Sequence, residues 1–185
     1  MTYRHLLTLA CLLSFLPLWS REPVAVKTNI LYDATLTLNA GTEVKVDSLW
    51  TLDLSADLNA WTLGRDGRLK HWLIQPEVRR WLTQPMRGHF LAAHLLGGQF
   101  NVGGWPVGPL RHHRYQGWGI GAGVGYGYSW LIGGHWRIEA EIGLGYIWRR
   151  YDKYSCAGCG RKVASGRHAG YIGPTKAAVN VVYEF

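Results

Sequence analysis

Long apolar runs are scarce in this 185-residue chain. The one near the start, Leu6 to Leu18, is broken by Pro17 and falls short of the roughly 20 residues that a membrane-crossing helix needs. No later stretch comes nearer, so a mature chain embedded in a bilayer would have to cross it as a closed barrel. Charge is sparse as well, at 17% of residues, and acids are outnumbered 12 to 20 by Lys and Arg. Cysteine is limited to Cys11, Cys156 and Cys159. That is a single CxxC, too few ligands for a four-coordinate zinc site unless histidines join it. No helix follows the glycine series Gly119, Gly121 and Gly123, so the nucleotide-loop fingerprint fails. No spacing ties Ser55, Ser129 or Ser165 to a histidine base and an acid. The sequence therefore offers no catalytic residues and no cofactor motif, and the expected role is non-enzymatic.

What the chain does have is 24 Gly, 10 Trp and 10 Tyr, arranged with period two. Trp118, Ile120, Ala122, Val124, Tyr126, Tyr128 and Trp130 alternate with glycine at every odd position from Gly117 to Gly127. Trp136, Ile138, Ala140, Ile142, Leu144, Tyr146 and Trp148 alternate with Arg137, Glu139, Glu141, Gly143 and Gly145. Alternation over such lengths specifies strands. Less pure versions fall at 24–32, 40–46, 50–60, 72–81, 89–101 and 175–185, giving eight strands in all. Connections at 47–49, 82–88 and 131–135 are tight, whereas those at 33–39, 61–71, 102–116 and 152–174 are longer. Short turns on one side and long loops on the other predict an all-β, eight-stranded antiparallel up-and-down transmembrane β-barrel with both termini in the periplasm.

The tryptophans agree. Trp50 and Trp61, Trp72 and Trp81, Trp118 and Trp130, and Trp136 and Trp148 bracket four strands, so two aromatic girdles are expected. A soluble barrel would turn the same apolar face inward and leave the glycine face in water. Residues 1–20 read as a signal peptide, with cleavage between 20 and 25, and 24–185 as the outer-membrane barrel. Val181, Tyr183 and Phe185 form a terminal alternation of the kind read by the barrel-assembly machinery. Pro76 interrupts the fourth strand and predicts a bulge.

The inward face carries Lys27, Glu43, Lys45, Asp53, Asp57, Glu77, Arg79, Arg137, Glu139, Glu141 and Glu184. Charges of both signs can pair, which predicts a lumen plugged by a network; a narrow channel is the alternative, and a lipid A-modifying enzyme a further one. Cys156 and Cys159, in the fourth outer loop, form either a local disulfide or part of a metal site with histidines. The outer loops are basic through Arg65, Arg68, Lys70, Arg111, His112, His113, Arg114, Arg150, Lys153, Arg161, Lys162, Arg167 and Lys176. Such a rim would attract lipopolysaccharide phosphates or acidic polymers, with outer-membrane lipid around the wall. Nucleic acid is not an expected partner.

Several blocks resemble one family. They are Lys27-Thr-Asn-Ile-Leu-Tyr-Asp-Ala, Trp50-Thr-Leu-Asp-Leu-Ser, Lys70-His-Trp-Leu-Ile-Gln-Pro-Glu-Val-Arg, Gly98-Gln-Phe-Asn-Val-Gly-Gly and Tyr115-Gln-Gly-Trp, followed by Asp152-Lys-Tyr-Ser-Cys-Ala-Gly-Cys-Gly and Gly173-Pro-Thr-Lys-Ala. From Lys27 to Phe185 the chain resembles the Bacteroidetes outer-membrane proteins of the domain of unknown function 3575, small barrels of the OmpX/OmpA-like kind. The resemblance implies an outer-membrane barrel and an association in some relatives with fimbrial or other surface proteins. It implies no activity and no catalytic residues.

Overall fold

The computed structural model describes residues 23–63, 67–105, 108–156 and 160–185; the segment expected to be a signal peptide lies outside them. Its strands are β1 (Val24–Asn29), β2 (Leu38–Lys45), β3 (Trp50–Asn59), the two-residue β4 (Thr62–Leu63), β5 (Gly67–Trp81), β6 (Gly88–Gly103), β7 (Arg114–Gly133), β8 (Trp136–Tyr154) and β9 (Lys162–Glu184). A one-turn helix, α1 (Ile30–Asp33), follows β1, and a 3-10 turn (Gly108–Arg111) precedes β7. Leaving out β4, eight antiparallel strands follow one another as β3-β2-β1-β9-β8-β7-β6-β5, and β5 pairs back onto β3. The sheet thus closes into a barrel-like ring. Tight turns lie at one end, the turn end, and longer connections at the other, the loop end.

Alternation sorts side chains into two environments. Leu52, Leu54, Ile120, Val124, Ile142 and Leu144 face outward and are exposed, Val124 to 67%. Thr51, Asp53, Glu77, Arg79, Glu139 and Arg137 face inward and are buried. The wall is therefore apolar outside and charged inside.

Several details depart from the sequence reading. Asn29 ends β1 by bonding its side chain to the amide of Leu31, so 30–33 is helical rather than strand. Strands β8 and β9 extend to Tyr154 and from Lys162, taking up most of the loop expected at 152–174 as a paired ribbon with register shifts near Tyr151 and Lys153. Trp81 is fully buried rather than part of a girdle. It lies nine residues after the outward Trp72, an odd spacing that sends it to the opposite face.

Pro76 makes no bulge. Its pairing with Leu54 on β3 is continuous, while the ladder to β6 lapses between Ile74–Gly97 and Glu77–His94 and resumes in the same register. The proline removes a ladder donor, and the strands stay aligned. The bulge lies in β9, where Gly143 pairs with Lys176 but Leu144 pairs with Pro174. Thr175 is the extra residue.

The ring is not closed over its full height. β1 pairs with β9 only from Ala25–Glu184 to Asn29–Asn180. Beyond that level no described strand pairs with β9 on this side, and α1 packs there instead. The Asn29 side chain finishes the ladder, donating to the carbonyl of Ala177 at 3.4 Å and accepting from the amide of Val179 at 3.2 Å.

Candidate functional site

At the turn end the interior is capped by Trp81, Met86, Phe90 and Ala92. The Trp81 and Phe90 rings sit 4.7 Å apart, and the Trp81 indole donates to Thr51 Oγ1 at 2.9 Å. Met86 has a φ of +63°, a conformation that L residues rarely adopt. Its burial and a 2.6 Å bond from Arg137 to its carbonyl hold it there.

Above this cap lies a dense ionic network. The Arg79 guanidinium donates to Glu77 at 2.5 Å, Glu139 at 2.9 Å and Glu141 at 2.8 Å, and lies 4.5 Å over the Phe90 ring. Lys27 reaches Asp53 at 2.5 Å and Glu43 and Glu139 at 3.3 Å each. Arg137 lies near Glu43 at 3.6 Å and Glu184 at 3.5 Å. Lone charges here would be very costly; charges of opposite sign in bonding distance offset that cost. Asp57, the uppermost of the expected set, is buried beside a void of about 20 Å³ that also touches Lys27, Asp53 and Lys176, room for one water. Lys45 lies half-buried at the turn end, its amide bonded to the carbonyl of Pro23.

The glycine stripe of β7 makes this packing possible. A Cβ at Gly127 would lie within 2.6 Å of Phe90 ring atoms, one at Gly125 2.9 Å from Glu141 Oε1, and one at Gly123 2.6 Å from His94 Nε2. Large side chains from the two neighbouring strands, Phe90 and His94 on β6 and Glu141 on β8, lean over these positions, so only glycine fits beneath them.

The sequence reading missed His94 and misplaced Lys176, which was expected in an outer loop. The Thr175 bulge brings both to one cluster: His94 Nε2 is 2.9 Å from Thr175 Oγ1, and Lys176 Nζ is 2.6 Å from Glu77 and 3.1 Å from Glu141. Glu77, His94 and Glu141 present ligand atoms within 4.8 Å of one another, a candidate metal triad. The donor set does not fit an ion, because the Lys176 ammonium and the Arg79 guanidinium already engage its two carboxylates. Residues 89–101 are apolar on both faces, so parity could not single out His94.

The basic rim separates into committed and available cations. Lys162 donates to Asp152 at 2.6 Å, and Arg114 lies 3.9 Å over the Tyr154 ring. The Lys162 bond, the amide of Gly166 and the Ser165 hydroxyl hold the Asp152 carboxyl down at about 2. Arg111, His112, Arg161 and Arg167 are exposed, and His113 is half-buried near Tyr115. Arg68 receives a bond on its carbonyl from the Trp105 indole at 3.1 Å. Arg65 and Cys159 lie outside the described residues; Cys156 is disulfide-bonded, which removes its thiolate from metal ligation. At the other terminus, Tyr183 packs against Trp136 and Phe185 at 5.0 Å, with Val181 opposite Ile138.

On the outer wall at the loop end, a groove of about 630 Å³ is lined by Lys70, Trp72, Gln99, Asn101, Gln116 and Trp118. Register aligns Lys70, Asn101 and Gln116 in one row and Trp72, Gln99 and Trp118 in the next.

Residues 6–185 match the model of a family described as a protein of unknown function, DUF3575. No curated protein and no solved structure gives a significant match.

Proposed function

The chain belongs to the DUF3575 family, and from that premise we propose that it is an integral outer-membrane β-barrel. In this reading the lumen is plugged and the work is done at the surface, through contacts with anionic envelope components. The observation that carries the reading is the inverted wall: Arg79, Arg137 and Glu139 are wholly buried inside while Val124, Ile142 and Leu144 are exposed outside. A hydrocarbon surround would cover that exterior, and pairing around the ring satisfies backbone groups where water is absent, except along the β9 edge above Asn180. Trp50, Trp130 and Trp136 toward the turns, with Trp72, Trp118 and Trp148 toward the loops, suit the two interfaces of a bilayer.

The plug supports a surface task over solute passage. Trp81 and Phe90 close the turn end, and three cations pinned by carboxylates fill the space above. At the other end, an aromatic and amide groove that includes Lys70, together with the exposed Arg111, Arg161 and Arg167 of the loop end, suits phosphorylated sugar headgroups such as those of lipopolysaccharide. Adhesion to, or assembly of, a surface structure would use the same rim.

The test joins two measurements on refolded protein. Planar bilayers should show no steady conductance, and immobilised protein should retain lipopolysaccharide in a salt-sensitive way. Solubility without detergent together with heat-independent gel migration would overturn the membrane reading, and high steady conductance would overturn the plug.

A further inference from the structure

The loop-end half of the lumen is built unlike the plug. Leu73 on β5, Leu96 and Phe100 on β6 and Ile147 on β8 line a cavity of about 610 Å³ above the ionic layer. Register explains the hollow. Along one row Leu73 faces Gly98, Gly98 faces Gly119, and Gly119 faces Arg149. Two successive strands contribute no side chain at that height, and a third glycine, Gly117 on β7, lies opposite Phe100. The same glycine stripe thus lies under the plug at Gly123, Gly125 and Gly127 and opens a chamber at its loop end.

Arg149 sits on the inward parity of β8 beside this apolar space. Its guanidinium is 5.7 Å from the Tyr151 ring, and among the described residues no carboxylate lies within ion-pair distance of it. This contrasts with Arg79 and Arg137, each held by several acids. At the same height the β9 edge carries no strand partner on the α1 side, so the wall is interrupted beside the chamber.

We propose that the chamber binds a single-chain amphiphile of the long-chain carboxylate class, its tail among Leu73, Leu96, Phe100 and Ile147 and its carboxylate on Arg149. The volume lies within the roughly 300–1,000 Å³ of small-molecule pockets, with mostly apolar lining and one orienting charge. A tail leaves water for those walls, and a guanidinium matches a carboxylate with two parallel bonds. An anion without a tail gains nothing from the walls. A tail without an anion leaves the solvent-exposed Arg149 to water alone. The inference goes beyond the surface reading above, because it concerns the half of the lumen that the plug leaves empty.

The test uses the protein in phosphatidylcholine nanodiscs with a diazirine-bearing palmitate, mapping the photolabel by mass spectrometry. Label is expected on the inward Leu96, Phe100 and Ile147, displaced by palmitate but by neither hexadecanol nor acetate at equal concentration. Arg149→Ala should weaken labelling roughly tenfold, the scale of one charge-assisted contact. Leu73→Trp, which narrows the chamber, should weaken labelling as well, with heat-modifiable migration identifying variants that fold. Label confined to the outward Leu95, Ile120 and Val124, or unchanged labelling of Arg149→Ala, would overturn the proposal. Failure to enter nanodiscs would refute the membrane reading alone, and the same labelling in buffer would then decide the chamber.

Discussion

Arg79 and Glu139 stand on strands separated by β6 and β7, yet they meet across the lumen at 2.9 Å with both side chains fully shielded from solvent. Removing one partner of such a pair leaves a buried charge without compensation, at a cost of about 3–5 kcal/mol. Arg79→Met should therefore lose that much stability, read as a lower urea midpoint for refolding into bilayers. Arg79→Lys should recover little, since one ammonium cannot hold Glu77, Glu139 and Glu141 in the planar geometry they share. A wild-type midpoint for Arg79→Met would mean that the network adds nothing to stability.

Trp81 closes the turn end through packing on Phe90 and a bond to Thr51. Trp81→Ala should cost about 3–5 kcal/mol by the usual cavity penalty. It should nonetheless stay non-conducting in planar bilayers, because Arg79 and Lys27 still fill the level above. Steady conductance from this single change would make the indole, rather than the ionic layer, the seal.

Val124 tests the surround of the wall. It is 67% exposed, and on a hydrated surface Val124→Arg would be almost neutral. At mid-bilayer the same change should destabilise by about 2–4 kcal/mol, measured by the same refolding titration.

The rim cations should behave unequally. Arg111→Gln combined with His112→Gln removes exposed charge and should reduce lipopolysaccharide retention and flatten its salt dependence. Lys162→Gln should change retention much less, because that ammonium is already engaged by Asp152. Equal losses would remove the distinction between available and committed charges.

Asp152 gives the projecting β8–β9 ribbon a pH signature. Its carboxyl is lowered from 3.8 to about 2 by the Lys162 bond, then by the amide of Gly166 and the Ser165 hydroxyl. A depressed carboxylate stabilises above its unfolded value and loses that contribution as pH falls through the folded one. Protection of the Gly166 amide, taken relative to its intrinsic exchange rate at each pH, should persist at pH 4 and fall only near pH 2, whereas Asp152→Asn should lower it already at neutral pH. Loss of protection at pH 4 in the wild type would contradict the tie.

Much of this was legible in the sequence because alternation ran unbroken. In β3, β7 and β8 parity assigned Asp53, the glycine stripe and Glu139 to the inside and Leu54, Val124 and Ile142 to the outside, as the structure has them. In β9 the alternation slips by one residue at Thr175, so Tyr171 and Lys176 share a face that simple counting would divide, and Lys176 read as a loop cation. The chamber was not legible at all. It depends on Gly98 and Gly119 falling side by side, and that coincidence is a property of register between strands rather than of either strand's own pattern.

The seam between the first and last strands has a mechanical meaning. Sixteen successive residues of β6 are laddered to β7, from Gly88 to Gly103, whereas only five of β1, from Ala25 to Asn29, fasten the head of the chain to its tail. Pulled apart or assembled in reverse, the cylinder would part there first and zip there last. The short segment beginning at Val24 is thus its clasp, and Asn29 is the stitch that stops the join from running further.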